Sequence, residues 1–264
     1  MLNHGHAVLF PDILNGDLSG GRLLPTDMEW LVRDSKKELG NFMQKILGLC
    51  EVKNQNSYGS LFGRSSHAWR SSDKVQVVFK RRYGEEKANP EEILCIGWKD
   101  GKRLDNILRT GDISIKALLK NYDNLKFFMP IRNIIDCAYS NRGHTEPFLG
   151  IGEYKKQGTK PSVGIMLKEV VEEIIWFMKW HIDYPDRFHY ITETGFDRQG
   201  LVGLASFLGI PAGKDWIEDC MECWDIKELY YEHRDRYREF VKGRIEEEFS
   251  DRSDILSILM KEAV

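Results

Sequence analysis

Arg132 follows the apolar run "LKFFMPI" directly, and Ser140 lies eight residues further on. A guanidinium offers a planar fork of donors that meets a phosphate with two parallel, charge-assisted hydrogen bonds. Eight residues span about two helical turns, so a serine hydroxyl returns to the same side with one more donor. This pair could hold an anion. The competing reading is an ion pair between Arg132 and Asp136, four residues apart on a helix, with Ser140 incidental.

An arginine placed this way needs a strand to aim it and a helix after it. Ligands of open α/β sheets bind beyond the carboxyl ends of the strands. "EEILCIGW" (Glu91–Trp98), "SIKALLKNY" (Ser114–Tyr122) and "LKFFMPI" (Leu125–Ile131) read as strand, helix, strand. That order favours parallel pairing. Pro130 has no N–H for a ladder, so the paired part of the second strand is expected to stop by Met129.

Around this unit the chain alternates in the same manner. "HAVLF" (His6–Phe10) is a short strand, and a helix is expected from Met28 to Leu49, with Thr26 and Glu29 at capping-box spacing. "KVQVVFKRR" (Lys74–Arg82) alternates as an exposed strand does. A strong amphipathic helix runs from Ile165 to Ile182, then "RFHYIT" is a strand. "DRQGLVGLASFLG" is a helix ending at Gly209, with Pro211 just beyond. From Trp216 the tail is charged helix, its blocks of mixed sign forming a solvated face. The expected fold is one α/β domain over residues 1–264 with a helical C-terminal part from about 216.

Composition bounds the function. The 264 residues are 42% hydrophobic and 30% charged, with a net charge of −3. No global basic field draws the chain to nucleic acid, so an anion site must be local. No apolar run approaches the roughly 20 residues that span a bilayer. The N-terminus lacks the basic start and apolar stretch of a signal peptide, and a cytoplasmic protein is expected. The five cysteines are irregularly spaced and do not suggest a disulfide framework. Cys220 and Cys223 form a single CxxC, too few ligands for a metal site.

The segment "LKFFMPIRNIIDCAYS" resembles the 3′-phosphate-binding motif of the sulfotransferases, which use 3′-phosphoadenosine 5′-phosphosulfate (PAPS). The family pattern is an apolar strand, then Arg-Asn/Asp-Pro-x-Asp, then a serine on the next helix. Here Arg132, Asn133, Asp136 and Ser140 match, and Ile134 replaces the proline. "EEILCIGWKDGKRLDNILRTGDISIKALLKNYDNLKFF" is similar to the family's approach to that motif, with Lys99 after the strand. "YPDRFHYITETGFDRQGLVGLASFLGIP" is similar to a later strand, acidic residue (Glu193) and helix. The likeness spans about residues 90–211.

The resemblance implies a three-layer fold with a central, mostly parallel sheet flanked by helices, in P-loop NTPase-like sulfotransferase topology. It implies that Arg132 and Ser140 bind the 3′-phosphate, with PAPS as sulfuryl donor. Lys99 is then the cation for the leaving oxygen, and no metal is required. The acceptor would be a small molecule or glycan. The family's 5′-phosphosulfate loop has no clean copy. Ser19–Arg22 in "DLSGGRLLP" and Ser65 in "FGRSSHAW" are candidates, and absence is the third reading. The stretch "MLNHGHAVLFPDI" resembles the segment that comes after that loop and its helix in bacterial members. No base is assigned, although His67, His144 and Glu153 are conceivable. Residues 141–165, rich in glycine and lysine, would form an acceptor gate. A sulfotransferase-like module that has lost catalysis is the alternative, and the absence of G-x-x-x-x-G-K-[S/T] argues against a nucleotide kinase.

Overall fold

A computed structural model describes residues 7–11, 77–78, 81, 95–99, 108–109, 114–142, 161–224 and 234–263. The protein is mixed α/β and mostly helical. It divides into two compact units, Met1–Leu125 with Leu201–Asp225 and Lys126–Gly200 with Ile226–Val264. The helix expected at Met28–Leu49 lies outside the described residues.

In the first unit β1 (Ala7–Pro11) pairs in parallel with β2 (Cys95–Lys99), in the register Ala7↔Cys95 to Pro11↔Lys99. α1 (Ile115–Asn121) begins at Ser114, whose side chain accepts the Ala117 N–H. Capping satisfies one of the donors that every helix start leaves open. Ile115, Leu118 and Leu119 form its buried face.

The strand expected over Lys74–Arg82 is not formed where the segment is described, because Val77, Val78 and Arg81 are helical. Val78 is buried while the adjacent Val77 is exposed. Arg81 reaches α5 (Lys214–Cys223), pairing with Asp219 at 3.3 Å and Glu222 at 2.6 Å. Asp219 is a buried acid, and a guanidinium partner offsets its loss of hydration. Tertiary contacts thus override the β preference of the valines.

In the second unit β3 (Phe127–Ile131) and β4 (Phe188–Thr192) form a parallel pair, Phe127↔Phe188 to Ile131↔Thr192. Pairing therefore passes through Pro130, two residues beyond the expected stop at Met129. The reason lies in ladder parity. Phe127 donates to the Arg187 carbonyl at 2.8 Å, and the Ile131 carbonyl accepts from Glu193 at 2.7 Å. A parallel ladder uses alternate residues, so Pro130 falls on the parity facing away from β4. It is exposed there. Among the described residues β2 pairs with β1 and β3 with β4, both in parallel.

The connection from β3 to β4 holds α2 (Ile134–Asn141) and α3 (Val163–Asp183). α3 starts two residues earlier than its periodicity indicates, because Ser162 caps it by accepting the Ile165 N–H at 3.3 Å. It buries Met166, Leu167, Val170, Val171, Ile174, Phe177 and Met178. Each such side chain contributes about 1.5–3 kcal/mol of burial. Phe188 lies fully buried beneath it, stacked on Phe127 at 4.6 Å and edge-on to Phe177 at 5.3 Å.

α4 (Arg198–Leu208) ends at Gly209, whose φ of 71° only glycine adopts without strain. Ile210 then donates to Ala205 and Gly209 to Ser206, the paired bonds of a Schellman turn. α6 (Arg234–Phe249) packs against α2, α3 and α7 (Ser253–Glu262). Arg244 of α6 grips Glu172 of α3 through two bonds, at 2.7 and 3.2 Å, and also reaches Glu247 and Glu248. No described helix is long and apolar enough to cross a membrane.

Candidate functional site

Because β3 and β4 are parallel, their carboxyl ends emerge on one side, with Arg132 after one and Glu193 after the other. Arg132 is exposed. Asn133 caps α2, its Oδ1 accepting the N–H groups of Ile135 and Asp136, both at 3.1 Å. Those bonds orient the helix start, where the backbone dipoles favour an anion. Ser140 lies in the second turn of α2, seven residues from the cap and about 10 Å along the axis at 1.5 Å per residue. It is exposed, and seven helical steps return it to the azimuth of Asn133.

Arg132 and Ser140 thus share one strand–helix connection. Lys99 is the last residue of β2, Cα-paired with Pro11, and belongs to the first unit. The candidate loops at Ser19–Arg22 and Ser65 lie outside the described residues, as do His67, His144, Glu153 and residues 143–160 of the expected acceptor gate.

Glu193 knits the two strand ends together. Its N–H donates to Ile131, and its Oε2 accepts the Asn133 N–H at 2.8 Å. The Arg132–Asn133 peptide is therefore held from β4. The turn carrying Glu193 is tight. Gly195 donates to the Thr192 carbonyl at 3.2 Å and to Thr192 Oγ1 at 3.0 Å. Thr194, in turn, gives both its N–H and its hydroxyl to Glu262 Oε1 on α7.

Asp136 does not pair with Arg132, since no ion pair joins them among the described residues. It is buried, its Oδ1 has no hydrogen-bond partner, and burial raises its pKa above the usual carboxylate value. The charges of Arg234 and Arg132 oppose that rise, and Glu193 adds to it. α6 meets α2 at this point, with Tyr237 edge-on to Tyr139 at 6.1 Å. Burial also pushes the Cys137 thiol up to about 12, which leaves it protonated and unreactive at neutral pH.

Comparison with protein-family models, curated proteins and solved structures gives no match.

Two participants escaped sequence reasoning as parts of this site. The motif includes Asn133, and its place before an apolar run also signals the helix cap. Thr194 and Glu262 carry no local signal, because they meet only through the fold. Cys220 and Cys223 both lie on α5, neither in a disulfide. Among the described residues no group of three or more His, Cys, Asp or Glu side chains is arranged to hold a metal.

Proposed function

We propose that the protein is a sulfotransferase that moves a sulfuryl group from PAPS to a hydroxyl or amine of a small-molecule or glycan acceptor in the cytoplasm. In this reading Arg132 and Ser140 take the 3′-phosphate. The observation that carries it is Arg132 at the carboxyl end of a parallel strand, followed by a capped helix with Ser140 exposed at the azimuth of the cap. The motif likeness at these residues supplies the identity of the anion. Its one departure is mild. Ile134 stands at the first helical position, where proline fits because that N–H has no partner in the helix. The finer fold belongs to the same proposal: a three-layer, P-loop NTPase-like sulfotransferase topology around one mostly parallel sheet.

The chemistry asks for an in-line attack. The acceptor oxygen or nitrogen bonds to sulfur as the bond from sulfur to the bridging oxygen breaks. 3′-Phosphoadenosine 5′-phosphate leaves, and the acceptor proton passes to a base. Negative charge builds on the leaving oxygen, and a positioned cation stabilises it. Lys99, ending β2, is the cation assigned. PAPS itself carries the transferred group, so the scheme calls for no metal.

Calorimetric titration with 3′-phosphoadenosine 5′-phosphate tests the reading. Micromolar binding is expected, and Arg132→Ala is expected to abolish it, since each charge-assisted phosphate contact contributes about 1.5–3 kcal/mol. No binding by the intact chain would overturn the proposal. Binding without sulfuryl transfer from PAPS to any acceptor class would leave the non-catalytic module instead.

A further inference from the structure

Glu262 is the last residue of α7 and is 2% exposed. A buried carboxylate costs several kcal/mol unless its bonds are made. Its Oε1 accepts the Thr194 N–H at 3.0 Å and the Thr194 hydroxyl as well. Thr194 is the third residue of the turn Thr192–Gly195, and Glu193 is the second. Fixing Thr194 fixes the peptide on the C-terminal side of Glu193. The ladder bond to Ile131 fixes the peptide on its N-terminal side. With both flanking peptides held, the Glu193 Cα is fixed where its carboxylate reaches the Asn133 N–H, which it meets at 2.8 Å.

We propose that Glu262 is a positioning residue for the anion site. It acts through Thr194 and Glu193 on the Arg132–Asn133 peptide, and so tunes how well Arg132 meets the 3′-phosphate. The inference rests on the phosphate-binding reading of Arg132. α7 then contributes to ligand affinity without touching ligand.

The test uses the full chain with Glu262→Ala and Glu262→Gln. Glutamine keeps a carbonyl oxygen where Oε1 accepts. Two readouts are taken: affinity for 3′-phosphoadenosine 5′-phosphate, and exchange of single backbone amides in the ligand-free protein. Glu262→Ala should weaken nucleotide binding by about tenfold and speed exchange at Asn133 similarly, the factor matching one lost hydrogen bond. Amides in α3, such as Val170, should be unchanged, and Glu262→Gln should restore both readouts. Unchanged Asn133 exchange in Glu262→Ala would overturn the relay. So would equal acceleration at Val170, which signals general loosening, or unchanged affinity in a protein that binds. If the intact protein binds no nucleotide, the phosphate reading fails, and the Asn133 exchange alone decides whether the relay exists.

Discussion

Glu193 accepts the backbone N–H of Asn133 at 2.8 Å, so the end of β4 holds the peptide that follows Arg132. Two residues sixty positions apart thereby share one bond at the place where an anion would sit. Glu193→Ala leaves that half-buried N–H without its acceptor and should cost about 1–3 kcal/mol. Glu193→Gln retains an acceptor oxygen and should cost less. Urea unfolding midpoints check the order, and equal stability of all three proteins would contradict it.

The Asn133 cap gives a second expectation. Its Oδ1 serves two N–H groups of α2. Asn133→Ala should lose about 1 kcal/mol, and Asn133→Ser should recover most of it. Thermal unfolding measures this. A serine variant as unstable as the alanine variant would show that the amide acts otherwise than as a cap.

Asp136 predicts a pH dependence. Burial raises its folded pKa above the usual 3.8, so between 3.8 and that raised value the folded state holds more protons than the unfolded state. Its contribution to stability is fully present below about pH 3.8 and is lost as pH rises through the folded value. Asp136→Asn removes this titration. The variant should gain on the wild type as pH rises from about 3.8 through the raised folded value, as urea unfolding at each pH would show. A stability difference that does not change with pH would contradict the assignment.

Two glycines should resist alanine for different reasons. A Cβ at Gly200 would lie 2.3 Å from the Gly195 carbonyl oxygen, which is backbone and cannot swing aside. Gly200→Ala should cost about 1–3 kcal/mol through overpacking against the Glu193 turn. At Gly209 there is open space but a φ of +71°. Gly209→Ala should cost about 1 kcal/mol through the left-handed conformation alone. Nucleotide affinity separates the two, because only Gly200→Ala should weaken it.

Arg244 should show salt dependence. Glu172 raises its pKa above the ordinary guanidinium value through hydrogen bonding. The guanidinium and its partner carboxylates are all partly exposed, so Arg244→Ala should cost about 1 kcal/mol or less in low salt and shrink as salt screens the pairs. A loss independent of salt would point to packing of its methylene stem.

Local signals in the sequence placed several of the described elements. β3, β4, α3 and α4 fall within a residue or two of their expected positions, because periodicity, Gly209 and the flanking polar residues are local signals. The sequence also placed Arg132 at a strand end and Ser140 on the helix after it. Other features needed the tertiary structure. Val77 and Val78 have a strand's composition but a helical backbone, in a segment whose Arg81 is tied to Asp219 and Glu222 of α5. Pro130 is accommodated because ladder parity turns it away from β4, and parity depends on the partner's register. Asp136 was a candidate ion-pair partner, yet packing leaves it buried without that bond. Glu262 and Thr194 are 68 residues apart, and only the fold brings them together. Local propensity acts over a few residues, whereas pairing, burial and hydrogen bonds between distant segments are decided by how the chain closes on itself.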